Sequence, residues 1–132
     1  MMENCMDKCS VDSLRKMTFN KNIKPYKFHA DGIDIAVQDW TELSLIFVKW
    51  LIQKGYLKIE KLPVHNHARR GKYFINSKPQ HQIQEKDACW QSVGPYYVDT
   101  KYNAQSHINN FLSALKQLGV IAPPIQISFR AD

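Results

Sequence analysis

The side chains best suited to chemistry or recognition crowd into one stretch, HNHARRGKYF, residues 65–74. Guanidinium groups such as those of Arg69 and Arg70 grip phosphate oxygens through paired, charge-assisted hydrogen bonds. Lys72 adds a point charge, His65 and His67 add ring nitrogens, and Tyr73 offers an aromatic face on which a base can stack. Residues 63–71 read as a loop with a basic tip, and 72–76 as the strand that follows it. His65, His67, Arg69, Arg70, Lys72 and Tyr73 are therefore the expected nucleic-acid-contacting residues. The competing reading is a solvated hairpin tip whose aromatic rings turn inward.

Other chemistries lack the residues they need. The adjacent letters His65-Asn66-His67 do not make an HNH nuclease, which spreads its three residues around a metal over a hairpin and a helix. Zinc takes four ligands, and structural sites pair two ligand motifs. Here Cys5 and Cys9 lie far in sequence from His65, His67 and Cys89, and no familiar spacing links them. Metal-dependent hydrolysis needs clustered acids. Asp31 belongs to a turn, Asp34 to a strand exterior, and Glu85, Lys86 and Asp87 to a polar loop. Cys89 with a distant His107 makes a poor thiol nucleophile, and Cys89 reads as an ordinary semi-buried residue. No phosphate-binding glycine loop or nucleophile elbow occurs. The expectation is a binding protein rather than an enzyme, with no cofactor and no metal.

Composition points the same way. Eighteen Lys and Arg against twelve Asp and Glu give 132 residues a formal charge of +6. Such an excess favours polyanions through counterion release, although the same charge also serves solubility. An apolar fraction of 44% suits one globular domain. Three cysteines make no disulfide framework, no apolar run is long enough to span a bilayer, and residues 1–17 lack the apolar core of a signal peptide. A reducing cytoplasm is the expected setting, with no membrane partner.

The elements that must position the 65–74 segment follow from periodicity and punctuation. Residues 1–23 read as a loosely ordered N-terminal arm with a short helix capped by Ser10. Residues 24–132 read as one α+β domain. Tyr26 and Phe28, then Asp31-Gly32, then Ile33, Ile35 and Val37 predict a hairpin with one apolar face. Asp39 caps a helix whose Leu43, Ile46, Phe47, Trp50 and Leu51 share a face, and Gly55 closes it. Residues 57–62, 72–76 and 93–100 read as strands. Asn103 caps a second helix with Ala104, Ile108, Phe111, Leu112, Leu115 and Leu118 inward, and Gly119 ends it. Residues 125–130 read as a last strand. The order β-β-α-β-β-β-α-β predicts a mostly antiparallel sheet with both amphipathic helices packed on one face. Along the second helix, Gln105, Asn109, Asn110, Ser113, Lys116 and Gln117 make a polar face. Asn and Gln can read adenine edges, but a solvent-facing stripe is the simpler account. Trp50 reads as core, Trp90 as less constrained, and one of Tyr96 and Tyr97 as outward.

The segments KPYKFHADGIDIAV, VQDWTELSLIFVKWLIQKGYL and GPYYVDTKYNAQSHINNFLSALKQLGV together resemble a small α+β accessory domain found at the ends of bacterial restriction and phage-defence proteins. The resemblance spans residues 24–130. It implies an accessory role on nucleic acid, or as a partner within a defence system, and it supplies no catalytic residue. The leading expectation is thus a nucleic-acid-binding accessory protein of a bacterium or its mobile elements. The alternative is a protein-interaction module, an inhibitor or adaptor docking on a defence enzyme through an exposed aromatic such as Trp90 or Tyr96.

Overall fold

A computed structural model of the chain describes residues 6–68, 71–82, 88–121 and 124–131. Along the chain run β1 (Cys9–Ser10), α1 (Val11–Lys16), β2 (Ile23–Ala30), β3 (Ile33–Ala36), α2 (Trp40–Gln53), β4 (Val64–His65), β5 (Tyr73–Asn76), β6 (Trp90–Val93), β7 (Tyr96–Asp99), α3 (Ala104–Gln117) and β8 (Ile125–Ala131). The fold is α+β and every strand pairing is antiparallel. The strands divide between two four-stranded sheets, ordered β1-β8-β2-β3 and β4-β5-β7-β6. Sequence periodicity gave each strand a buried face but not the sheet to which it belongs, so one sheet was expected where two form.

The local signals act as their chemistry requires. Ser10, Asp39 and Asn103 each accept a backbone N–H from the residue three places on, which satisfies one orphan donor at the start of each helix. Asp31 and Gly32 both take positive φ, 53° and 77°, as a two-residue hairpin turn demands. Phe47 of α2 meets Phe111 of α3 with ring centroids 4.7 Å apart, and Phe111 also meets Phe74 of β5. Trp40 packs against Phe129 of β8. α2 touches β2 of the first sheet and β6 and β7 of the second, so the helix pair forms the core shared by both. α2 packs on β2 of the first sheet, while α3 packs on α2 and on β4 of the second. Leu43, Phe47, Trp50, Phe111 and Leu115 are buried as expected, while Leu112 is only half-buried.

Several expectations need correction. Residues 6–23 are no loose arm: Cys9, Val11, Leu14, Met17 and Phe19 are core residues, and β1 pairs with β8. In β2 the register slips between Pro25 and Lys27, so the bulge at Tyr26 turns Pro25 and Phe28 inward and leaves Tyr26 half-buried. Ile33 and Ile35 are exposed, at 62% and 37%, because β3 is an edge strand reaching past the helix that covers its neighbours. Residues 57–62 form no strand; Ile59–Lys61 is a single 3-10 turn. The strand expected over 93–100 is a hairpin, β6 and β7 turning at Gly94, whose φ is 58°.

Candidate functional site

The 65–74 segment begins in β4 and ends in β5, which pair antiparallel, and the protein beneath holds the described residues at both of its ends. His65 exchanges two backbone hydrogen bonds with the Gln117 amide of α3, at 2.8 and 3.0 Å. The backbone N–H of His67 donates to Asn110 Oδ1 at 3.0 Å. The Asn66 side chain accepts from Ala68 N–H, an Asx turn that bends the loop, and donates to the Tyr102 hydroxyl at 3.0 Å. Asn66 N–H also donates to Lys72 C=O, which closes the base of the loop.

From Tyr102 the chain of hydrogen bonds runs inward and returns to the other end of the loop. The Tyr102 hydroxyl donates to Asp99 Oδ2 at 3.2 Å, and His81 Nε2 meets that oxygen at 3.0 Å. His81 Nδ1 accepts the Tyr73 backbone N–H at 2.8 Å, so the ring proton sits on Nε2, facing the carboxylate. Asp99 Oδ1 accepts the backbone N–H of Cys89 and of Lys101. Asp99 and the His81 side chain are each only 1% exposed, so the circuit is internal. Burial, then the Asp99 charge, raises the Tyr102 hydroxyl well above the usual phenol range. That group stays a neutral donor at any physiological pH.

Of the expected contact residues, the structure brings His65, His67, Lys72 and Tyr73 onto this scaffold. Lys72 Nζ lies 5.6 Å from the centre of the Tyr102 ring, within cation–π range. His65 is exposed and meets the Tyr73 ring edge-on at 5.6 Å. Partial burial lowers the His67 pKa, which disfavours a charged ring there. Arg69 and Arg70 lie outside the described residues. His65 and His67 are tied to different side chains of α3, and among the described residues no three His, Cys, Asp or Glu side chains cluster to hold a metal.

Part of the polar face of α3 is engaged within the protein, while Lys116 and Gln117 remain exposed. Asn110 is fully buried, Gln117 and Asn110 hold the loop backbone, and Gln105 accepts the Phe19 N–H. Cys89 is exposed rather than semi-buried. Trp90 is half-buried and packs on His81 with centroids 4.7 Å apart. Tyr96 is buried with its hydroxyl on Leu57 C=O, while Tyr97 is the more outward of the pair.

Tyr102 also lines a groove of about 520 Å³, together with Phe19, Asn20, Lys21, Lys24, Trp40, Asn103, Ala104 and Gln105. Nothing in the local pattern around Lys21 and Lys24 marked it, because its walls come from distant parts of the chain.

A second polar cluster has the spacing of a catalytic triad. His29 Nδ1 lies 2.6 Å from Asp34 Oδ1, and His29 Nε2 lies 2.8 Å from Ser128 Oγ. Three features deny it that chemistry. Ser128 has no exposed surface, its hydroxyl proton goes to Asp7, and its oxygen already accepts from Lys8 N–H. A nucleophilic serine would instead offer its proton to a histidine lone pair. The cluster fastens residues 7 and 8 across the outer face of the first sheet. His107 is a third enclosed histidine, stacked on Trp40 and bonded to Ser44 at 2.9 Å. Among the described residues no helix is long and apolar enough to cross a membrane.

The chain matches no protein-family model, no curated protein and no solved structure.

Proposed function

We infer that the protein is a small basic binding module that contacts nucleic acid through the 65–74 loop, without catalysis. The observation that carries this reading is the Lys72–Tyr102 stack above a closed hydrogen-bonded base. A cation and an aromatic ring are thus held at fixed positions beside a loop whose sequence adds Arg69 and Arg70. A rigid support lowers the ordering cost of binding, so modest charge suffices. The net charge of +6 supplies long-range attraction. The resemblance to accessory domains of restriction and phage-defence proteins supports an accessory role in such a system, in a bacterium or a mobile element.

The test is an electrophoretic shift assay with duplex and single-stranded DNA and RNA across a salt series. Binding is expected to weaken as salt rises. Replacing Arg69 and Arg70 together by Ala is expected to lower affinity for all sequences alike and to flatten the salt slope by about two units. Absence of any shift at low salt defeats the reading.

One observation favours the adaptor alternative. Ile33 and Ile35 are exposed beside a small apolar slot of about 110 Å³ that they share with Phe28, Ile46 and Trp50. A module that works through this edge would ignore nucleic acid at low salt and lose its protein partner on Ile35→Lys.

A further inference from the structure

The groove beside Tyr102 takes the argument further. We propose that it holds an unstacked base and its phosphates, so that the preferred partner is single-stranded nucleic acid; this rests on the nucleic-acid reading above. Among the described residues no carboxylate lines it, and its charged side chains are cations. Asn20 Oδ1 is taken by Asn22 N–H and Asn103 Oδ1 by Ser106 N–H. Each amide is thereby fixed with its NH₂ left to offer. Lys21 and Lys24 have no ion-pair partner among the described residues and make the wall cationic and rich in donors. Such a wall fits a ligand rich in acceptors and negative charge, as phosphates and base carbonyls are.

The flat surfaces suit the same ligand. Tyr102 and Trp40 supply the aromatic walls, and both are immobilised before anything binds. Tyr102 is held by Asn66 and Asp99, while Trp40 stacks on His107 at 5.8 Å and donates from Nε1 to Ile23 C=O. The volume of about 520 Å³ lies within the roughly 300–1,000 Å³ of small-ligand sites. Tyr102 is shared with Lys72, so a strand crossing the 65–74 loop reaches the groove without leaving the protein surface. A paired base cannot enter, since its ring faces are covered by its neighbours in the stack.

The cross-strand register supplies a clean variant. Lys24 stands directly opposite Arg130 on β8. Lys24→Glu sets opposite charges across that pair, so the double variant Lys21→Glu/Lys24→Glu is expected to fold at least as well as the natural chain. Fluorescence anisotropy would follow a short mixed-sequence DNA, single-stranded and as a duplex, with thymidine monophosphate as competitor. The natural protein is expected to favour the single strand by about tenfold or more, the scale of stacking one base on an aromatic ring. The double variant is expected to lose that preference, and neutralising both lysines as Lys21→Ala/Lys24→Ala to reduce the single-strand salt slope by about 1.4 units, two contacts at about 0.7 each. Equal affinity for both forms, unchanged in the variants, overturns the groove and leaves binding by the loop intact. Binding of neither form overturns both readings. Thymidine monophosphate binding as tightly as the strand would overturn the strand as the ligand.

Discussion

Two histidines, one beside each sheet, each hold a carboxylate that is tied to a hydroxyl or shares the ring with one, and they differ in what surrounds them. His81 meets Asp99 and, through it, the Tyr102 hydroxyl; both His81 and Asp99 are only 1% exposed in their side chains. His29 meets Asp34 and Ser128, but Asp34 is 56% exposed at the edge strand β3. The second set has the spacing of a hydrolase and none of its proton economy. The first has the look of core filling, yet it ties both ends of the loop that carries the binding residues. Distances alone would assign these roles the other way round. The direction of each proton and the access of each oxygen to solvent decide between them.

The sharpest way to break this contrast is at Asp99. Its carboxylate accepts four hydrogen bonds, from His81, Tyr102, Cys89 and Lys101. Asp99→Ala strands all four donors in a closed interior and is expected to cost about 3–5 kcal/mol, measured by urea unfolding. The loop should loosen with it, so nucleic-acid affinity should fall in a variant whose substitution touches no ligand. Tyr102→Phe, which keeps the ring under Lys72, should be milder in both respects.

His107 sharpens the comparison through pH, because it is enclosed like His81 but faces a hydroxyl instead of an acid. Burial lowers its pKa to about 4 from 6.5, against smaller opposing effects of Asp99 and Asp39. The unfolded chain therefore binds a proton there that the folded chain refuses. Stability from this group is complete above pH 6.5 and is lost as pH falls towards 4, up to about 3 kcal/mol in all. Urea midpoints at pH 7 and pH 5 should differ in the natural chain, and the difference should shrink in His107→Gln. An unchanged pH dependence in that variant would place the acid sensitivity elsewhere.

Ser128 tests the other side. Ser128→Ala removes an acceptor for His29 and Lys8 and a donor to Asp7, in a position with no exposed surface. The expected cost is about 1–3 kcal/mol. Faster proteolysis before residue 9 should accompany it, because the hydroxyl holds residues 7 and 8 on the sheet. A catalytic serine would behave differently: its loss would leave stability intact and abolish a measurable turnover.

What could be read along the chain was what the chain decides locally. The helix caps Ser10, Asp39 and Asn103, the Asp31-Gly32 turn and the helix ends at Gly55 and Gly119 depend on neighbours within a few residues. So do the phases of α2 and α3. The bulge at Tyr26 was hidden because an alternating pattern carries no mark of a slipped register. The binding loop was visible as charge and aromatics, but its support was not: Asn66 finds Tyr102 36 residues away, and His67 finds Asn110 43 away. A polar residue on a helix reads as solvent-facing until the loop that covers it is in place. The same blindness hid the groove, whose Lys21 and Lys24 stand far in sequence from Tyr102 on its other wall.

The smallest effect expected is at Asp34, and it bears on which way the His29 protons point. The hydrogen bond from His29 holds the Asp34 carboxyl below its ordinary 3.8; burial opposes it, and the charges of His29, Lys8 and Lys27 add smaller contributions. A carboxyl whose folded pKa is depressed stabilises the fold above its unfolded pKa and surrenders that contribution as pH falls through the folded value. The window therefore lies below 3.8 and adjoins that of His107, which ends at about 4, so His107 titrates first as pH falls. Carbon-detected NMR of the carboxyl should give an Asp34 midpoint below 3.8 in the natural chain and closer to the ordinary value in His29→Gln. Asp34→Asn should flatten the most acidic part of the curve and leave the fold at pH 7 nearly unchanged, as expected for an exposed pair. An Asp34 that titrates at or above 3.8 in the natural chain would mean that His29 donates nothing to it. That would count further against a triad, which needs the histidine Nδ1–H on the acid, while the burial of Ser128 and its proton on Asp7 would stand unchanged.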